Sequence, residues 1–250
     1  MNALATKPAK IRIDQLLVER GLAGSREKAQ ALILAGQVLV NGEKAAKPGH
    51  SVATDVLLQV LEKMPWVSRG GYKLAAALDH WGIDATGRIC LDVGASTGGF
   101  TDCLLQRGAL KVYSIDVGHG QLDWRLRNDP RVVVREGVNA RYLAAADFPE
   151  HFALAVCDAS FISTTLLIPA MAPLLSPKGE MVILVKPQFE VERGQIGKGG
   201  IVRDPALHAA ACDRVQRAAK MQGFQTAIIE SPILGAEGNR EFLLYARRPE

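Results

Sequence analysis

Apolar positions along the chain follow two rhythms. In residues 11–49 (IRIDQLLVERGLAGSREKAQALILAGQVLVNGEKAAKPG), Ile13, Leu16 and Leu17 share one face of a predicted helix that ends at Gly21. Ser25 is suited to cap a second helix, which carries Ala29, Leu32 and Ile33 and stops at Gly36. QVLVNG then alternates as a short strand, and Asn41-Gly42 is a hairpin turn signal. Two short helices and a hairpin make a mini-domain that is only marginally stable on its own. VLLQVLEKMPW (56–66) reads as its closing strand and a short linker.

Beyond it the rhythm changes. Apolar strand-like runs occur at 89–93, 112–117, 132–135, 154–158, 181–185, 226–230 and 241–246. Helical patterns separate most of them, at 72–81, 98–107 and 206–221 among others. Alternating strand and helix implies an α/β domain, its sheet mostly parallel with helices on both faces. The expected organisation is therefore a small domain at 1–62, a linker at 63–67 and a large domain at 68–250.

Composition narrows this picture only slightly. A hydrophobic content of 48% supports packed cores, and a net charge of +4 is compatible with a nucleic-acid partner without requiring one. Cys90, Cys103, Cys157 and Cys212 have neither zinc-site nor disulfide-framework spacing, and the histidines share no ligand spacing, so no metal is expected. MNALATKPAKIRID lacks the apolar stretch of a signal peptide, and Pro169 and Pro173 break the run at 166–175. A cytoplasmic location is expected.

LDVGASTGGF (91–100) is a strand followed by a glycine-rich turn, the usual place for a cofactor beyond the carboxyl end of a strand. The spacing of Gly94, Gly98 and Gly99 departs from the dinucleotide fingerprint, and the absence of a following lysine disfavours a triphosphate. Asp92 could meet a cationic amino-acid or sulfonium group, and Asp116, one unit later, a ribose. S-adenosylmethionine satisfies these features best, held by Asp92, Gly94, Ala95, Ser96, Thr97, Gly98, Gly99, Phe100, Asp116 and, after the next strand, Asn139.

Asp158 and Lys186 end successive strands at that edge, and Glu241 begins the last strand there if that strand is antiparallel. Lys73, near the start of the helix preceding the first strand, faces the same edge. Together they resemble the Lys-Asp-Lys-Glu tetrad of FtsJ-like RNA 2′-O-methyltransferases. A ribose 2′-hydroxyl is a weak nucleophile, and a lysine tuned by burial and neighbouring charge can orient it or accept its proton.

The block at 11–49 resembles the ribosomal-S4-type RNA-binding domain through Arg12-x-Asp14, Leu17, Gly21, Ser25-Arg26, Ala29, Ile33, Gly36 and Val38-x-Val40-Asn41-Gly42. With MPWVSRGGYKLAAAL, CDASFIS, LVKPQFE and GKGGIVRD, nearly all of 10–248 resembles the TlyA family. The resemblance implies a Rossmann-like methyltransferase sheet of seven strands, the last antiparallel, with a small α+β S4-like domain before it. It also implies S-adenosylmethionine-dependent methylation of a cytidine 2′-hydroxyl in 16S or 23S ribosomal RNA, with Lys73, Asp158, Lys186 and Glu241 as the tetrad. The partner is then ribosomal RNA or a ribosomal subunit. Arg12, Arg26 and Lys28 are the expected phosphate contacts of the small domain. Arg69, and Arg193, Lys198 and Arg203 in the glycine-rich stretch 192–204, are expected RNA contacts of the large one. Phe161 and Phe189 flank the tetrad as core residues or as a platform for a base. A non-catalytic RNA-binding protein is one alternative. The other is a membrane-active hemolysin, an activity for which the family has also been named, although no segment here looks membrane-piercing.

Overall fold

The computed structural model describes residues 9–61, 64–235 and 238–249. Residues 1–8 and 250, at the ends of the expected domains, and residues 62–63, at the expected domain–linker border, lie outside them. The chain divides into two compact units between Met64 and Pro65.

The first unit runs β1 (Lys10–Arg12), α1 (Ile13–Glu19), α2 (Arg26–Leu34), β2 (Val38–Val40), β3 (Glu43–Lys44), β4 (Ser51–Ala53) and β5 (Leu58–Val60). Ile13, Leu16, Leu17, Ala29 and Ile33 bury the facing sides of the two helices in one core with Val38 and Leu58. Ser25 caps α2 by accepting from the Lys28 amide at 3.3 Å. Asn41 and Gly42, with φ of 50° and 86°, turn the chain between the paired Val40 and Glu43, the left-handed pair that a two-residue hairpin needs. The pairing of β1 with β4 was not anticipated from the sequence, because three-residue strands leave too little alternation to read.

Asp14 organises the charged side chains of this unit. It is completely buried and gathers Arg12 Nη2 at 2.8 Å, Arg26 Nε at 3.1 Å and Gln30 Nε2 at 2.8 Å. Arg12 and Arg26 neutralise this internal carboxylate, since a buried charge must be paired, while their side chains stay 40% and 47% exposed. Lys28 remains exposed. The Arg12 hydrogen bond holds the Asp14 carboxyl well below the usual carboxylate range. A depressed folded value means that its stabilisation is full above the unfolded value of about 3.9 and is lost as pH falls below it. Asp14→Asn should therefore destabilise the protein at neutral pH, and the gap in melting temperature should narrow as pH is lowered through about 4. A gap independent of pH would contradict this.

The second unit comprises α3 (Gly70–Trp81), β6 (Ile89–Val93), α4 (Gly99–Gln106), β7 (Lys111–Ile115), α5 (Trp124–Arg127), β8 (Val132–Arg135) and β9 (Phe152–Cys157), then α6 (Ile168–Met171), β10 (Leu175–Val185), α7 (Pro187–Glu190), α8 (Pro205–Met221), β11 (Gln225–Glu230) and β12 (Phe242–Arg247). Its sheet has 7 strands in the order β11-β12-β10-β9-β6-β7-β8, and β12 is antiparallel to both neighbours. Alternate residues feed opposite cores. Met181, Ile183 and Val185 of β10 face the α6–α8 side, whereas Val182 and Leu184 face the α3–α4 side. From β6 the chain winds outward through β7 to β8 and then returns to lay β9 against the other edge of β6. The strand order reverses there, so a crevice opens beyond the carboxyl ends of β6 and β9.

Candidate active site

Two adjoining cavities occupy that crevice. The first, about 700 Å³, is bordered by Arg69, Lys73, the turn after β6, Asp158, Lys186 and Glu241. The second, about 490 Å³, is bordered by Asp116, Asn139 and the apolar Val117, Val138, Ile162 and Leu167. Gly94, Ser96, Asp158, Ser160 and Phe161 belong to both.

Each tetrad member arrives from a different element. Lys73 is in the first turn of α3, Asp158 follows β9, Lys186 follows β10 and Glu241 precedes β12. The antiparallel direction of β12 is what returns Glu241 to the edge where the parallel strands end. Within the cavity the four form two ion pairs. Lys73 Nζ donates to Glu241 Oε2 at 2.5 Å, with the residues only 8% and 3% exposed. Lys186 Nζ lies 2.6 Å from Asp158 Oδ1 and donates to Ser160 Oγ at 2.8 Å. The Asp158 oxygen is charge-paired but outside hydrogen-bond alignment, so Ser160 fixes the direction of the lysine. In the sequence the only sign of Ser160 was its place two residues after Asp158 in CDASF.

The glycine turn is shaped first by protein neighbours. A Cβ on Gly94 would lie 2.9 Å from the Asp158 carbonyl oxygen, one on Gly98 2.3 Å from Leu126, and one on Gly99 2.2 Å from Ser68 Oγ. Gly98 lines neither cavity, and it packs against Leu122 and Leu126. Trp66 lies over α3, where a Cβ on Gly71 would come within 2.4 Å of its ring. Asp102 of α4 accepts from the Val67 amide at 2.8 Å, tying residues 66–67 to the helix that begins at the turn.

Asp92 departs from expectation in the same way. It is 0% exposed and borders neither cavity; Thr101 Oγ1 donates to its Oδ2 at 2.6 Å, and Oδ1 has no hydrogen-bond partner among the described residues. Burial pushes its carboxyl up to about 7. It supports the turn from beneath. Asp116 takes the exposed role, accepting from the amides of Ser96 at 2.8 Å and Gly118 at 2.7 Å on the rim of the second cavity. Asn139 stands beside it, its side chain capping the following turn through the Arg141 amide at 3.1 Å. Ala95, Ser96, Thr97 and Phe100 line the first cavity with Gly94 and Gly99.

The stretch 192–204 borders the cavity through Ile196, Gly199 and Gly200, whereas Arg193, Lys198 and Arg203 are not among the lining residues. Asn239, which no sequence motif singles out beside Glu241, anchors this stretch. Its side chain accepts from the Val202 amide at 3.1 Å and donates to the Gly200 carbonyl at 3.0 Å. Phe161 is not a core residue. It is 92% exposed with φ of 64°, and its ring lies 5.3 Å from that of Phe189. Among the described residues no cluster of metal-ligating side chains occurs, and no helix is long and apolar enough to cross a membrane.

Comparison with known proteins agrees with this architecture. Residues 66–248 match the FtsJ-like methyltransferase family and residues 11–56 the S4 domain. The chain is 47% identical to the 16S/23S rRNA (cytidine-2′-O)-methyltransferase TlyA of Mycobacterium tuberculosis, over 95% of this chain and 90% of that protein. It is 44% identical to Hemolysin A of Brachyspira hyodysenteriae, over 94% and 99%. A solved structure from Streptococcus thermophilus, 43% identical and covering 98% of this chain and 90% of its own, superposes with a TM-score of 0.75. With an S4 domain joined to an FtsJ-like methyltransferase domain and identity along almost its whole length, the chain belongs to the TlyA family.

Proposed function

We propose that the protein methylates the 2′-hydroxyl of a cytidine in 16S or 23S ribosomal RNA, using S-adenosylmethionine, in the cytoplasm. The observation that carries this reading is the convergence of two lysine–carboxylate pairs, with both lysines buried, on one cavity beside the glycine turn.

The donor set suits the cofactor. Asp116 and Asn139 offer polar atoms for a ribose and a base edge, and the apolar walls of the second cavity suit an adenine ring. The amino ends of α3 and α4 meet at the turn near Arg69 and Lys73, an environment favourable to a carboxylate. Asp92 would act indirectly, by holding the turn. S-adenosylmethionine, when bound, supplies an electrophilic methyl group.

The chain's own residues prepare the nucleophile. Lys186 Nζ, which donates to Ser160 and is charge-paired with Asp158, would orient the incoming ribose hydroxyl as it loses its proton to water. Glu241 keeps Lys73 within the cavity, where its ammonium can hold a second ribose or phosphate oxygen. Burial restricts water around both lysines, which strengthens their action on the hydroxyl. Phe161, an apolar ring left in solvent beside Phe189, offers a stacking face to the target base.

The S4 domain would anchor RNA, through Lys28 more than through the arginines committed to Asp14. Lys28→Ala should flatten the log–log salt dependence of RNA binding by about 0.9 for each phosphate it no longer neutralises, with melting unchanged. Arg26→Ala should also lower thermal stability, because Asp14 loses one of its partners. An unaltered salt slope for Lys28→Ala would remove it from the interface. The function itself is tested by transfer of tritium from labelled cofactor to ribosomal RNA or subunits. Absence of label in RNA, with RNA binding intact, would favour the non-catalytic alternative.

A further inference from the structure

Glu190 is almost fully buried at the end of α7 and takes no part in either ion pair. Its carboxylate collects donors from a single short segment. The Thr164 amide donates to Oε1 at 2.7 Å, Thr164 Oγ1 to the same oxygen at 2.8 Å, and Ser163 Oγ to Oε2. Its carbonyl oxygen accepts from Arg214 Nη1 of α8, which fixes the far side of the same turn. Glu190 therefore joins the turn that carries Lys186 and Phe189 to the segment that carries Asp158, Ser160 and Phe161.

Phe161 has φ of 64° while 92% of it is exposed. A non-glycine residue in the left-handed region is costly and persists only where its surroundings over-determine it. Solvent cannot supply that constraint, and the contact with Phe189 is a tilted ring contact at 5.3 Å. The nearest strong restraint after Phe161 is the cluster of donors from Ser163 and Thr164 to Glu190.

We infer that Glu190 is a positioning residue for the acceptor nucleoside: by clamping Ser163–Thr164 it holds Phe161 in the conformation that presents its ring to the base. This rests on the methyl-transfer reading above and adds to it the element that aligns the RNA side of the site. Glu190 touches neither the cofactor cavity nor the reacting atoms, so its action is felt through Phe161.

The test is a double-mutant cycle on the full chain, with ribosomal RNA or subunits as acceptor and calorimetry for S-adenosylmethionine. Glu190→Ala should lower kcat/KM for RNA by about tenfold or more and leave cofactor affinity within about twofold. Phe161→Ala should lower kcat/KM for RNA likewise, and in its background Glu190→Ala should add little, because coupled residues are non-additive. Glu190→Gln keeps an acceptor oxygen for Thr164 and should recover most of the activity. If Glu190→Ala does not fold, Thr164→Val removes one donor alone and should show a smaller loss with the same coupling to Phe161. Additive effects of Glu190 and Phe161, a parallel loss of cofactor affinity, or failure of Glu190→Gln to recover activity would overturn the inference. A wild-type protein that transfers no methyl group would instead overturn the reading on which it rests.

Discussion

Lys186→Ala is expected to reduce methyl transfer by about 10²–10⁴-fold, the usual span for a positioned proton-transfer or orienting group. Cofactor affinity should stay within about twofold of wild type, because the loss falls in the transition state rather than in cofactor binding. Of the two cavities, Lys186 borders only the first. Lys186 meets Asp158 and Ser160 on the wall of the first cavity, whereas Asp116 and Asn139 border the second. Calorimetry with S-adenosylmethionine and single-turnover transfer to RNA measure the two separately. A variant that binds cofactor poorly would place Lys186 in the cofactor site instead.

Glu241→Ala should have the largest effect on stability. It leaves the Lys73 ammonium, with a side chain only 10% exposed, without its carboxylate. Breaking a buried ion pair from one side costs about 3–5 kcal/mol, because the remaining charge is neither solvated nor paired. Transfer should be lost as well. Replacing both partners, Lys73→Met with Glu241→Leu, should return most of the stability, since an apolar pair of similar volume is often neutral or better. Activity should not return with it. Chemical denaturation and transfer assays on the single and double variants distinguish the structural part of the pair from its chemical part. A stable double variant that still methylated RNA would remove Lys73 and Glu241 from the chemistry.

Much of this arrangement was legible in the sequence, for identifiable reasons. Ser25, Asn41-Gly42 and the alternation of strand and helix beyond residue 68 act locally, through caps, turns and periodicity, and the structure follows them. The tetrad could be assembled because strand ends in a parallel sheet share one edge. What escaped depends on which way a side chain faces. Asp92, inside its strand, and Asp116, closing the next, both read as acids aimed at the cofactor. Yet Asp92 lies within β6 against Thr101 of α4, whereas Asp116 lies just past β7 and reaches the Ser96 and Gly118 amides. The alternation of β6 held that information, since Leu91 and Val93 face the opposite core from Cys90. Arg12 and Arg26 were expected at phosphates through the S4-type pattern, which does not reveal that Asp14 between them is buried and paired with both. The exposure of Phe161 follows from a backbone conformation that no local motif announces. The glycines of the turn were read as clearance for a ligand, and the structure shows that three of them first make room for Asp158, Leu126 and Ser68.

Mapping of ribose methylation on ribosomal RNA treated with the purified protein and S-adenosylmethionine tests the central claim most directly. A new 2′-O-methyl mark on a cytidine, present with wild type and absent with Lys186→Ala, is the predicted result. Methylation on a base, on a ribose other than that of a cytidine, or undiminished in Lys186→Ala would contradict it.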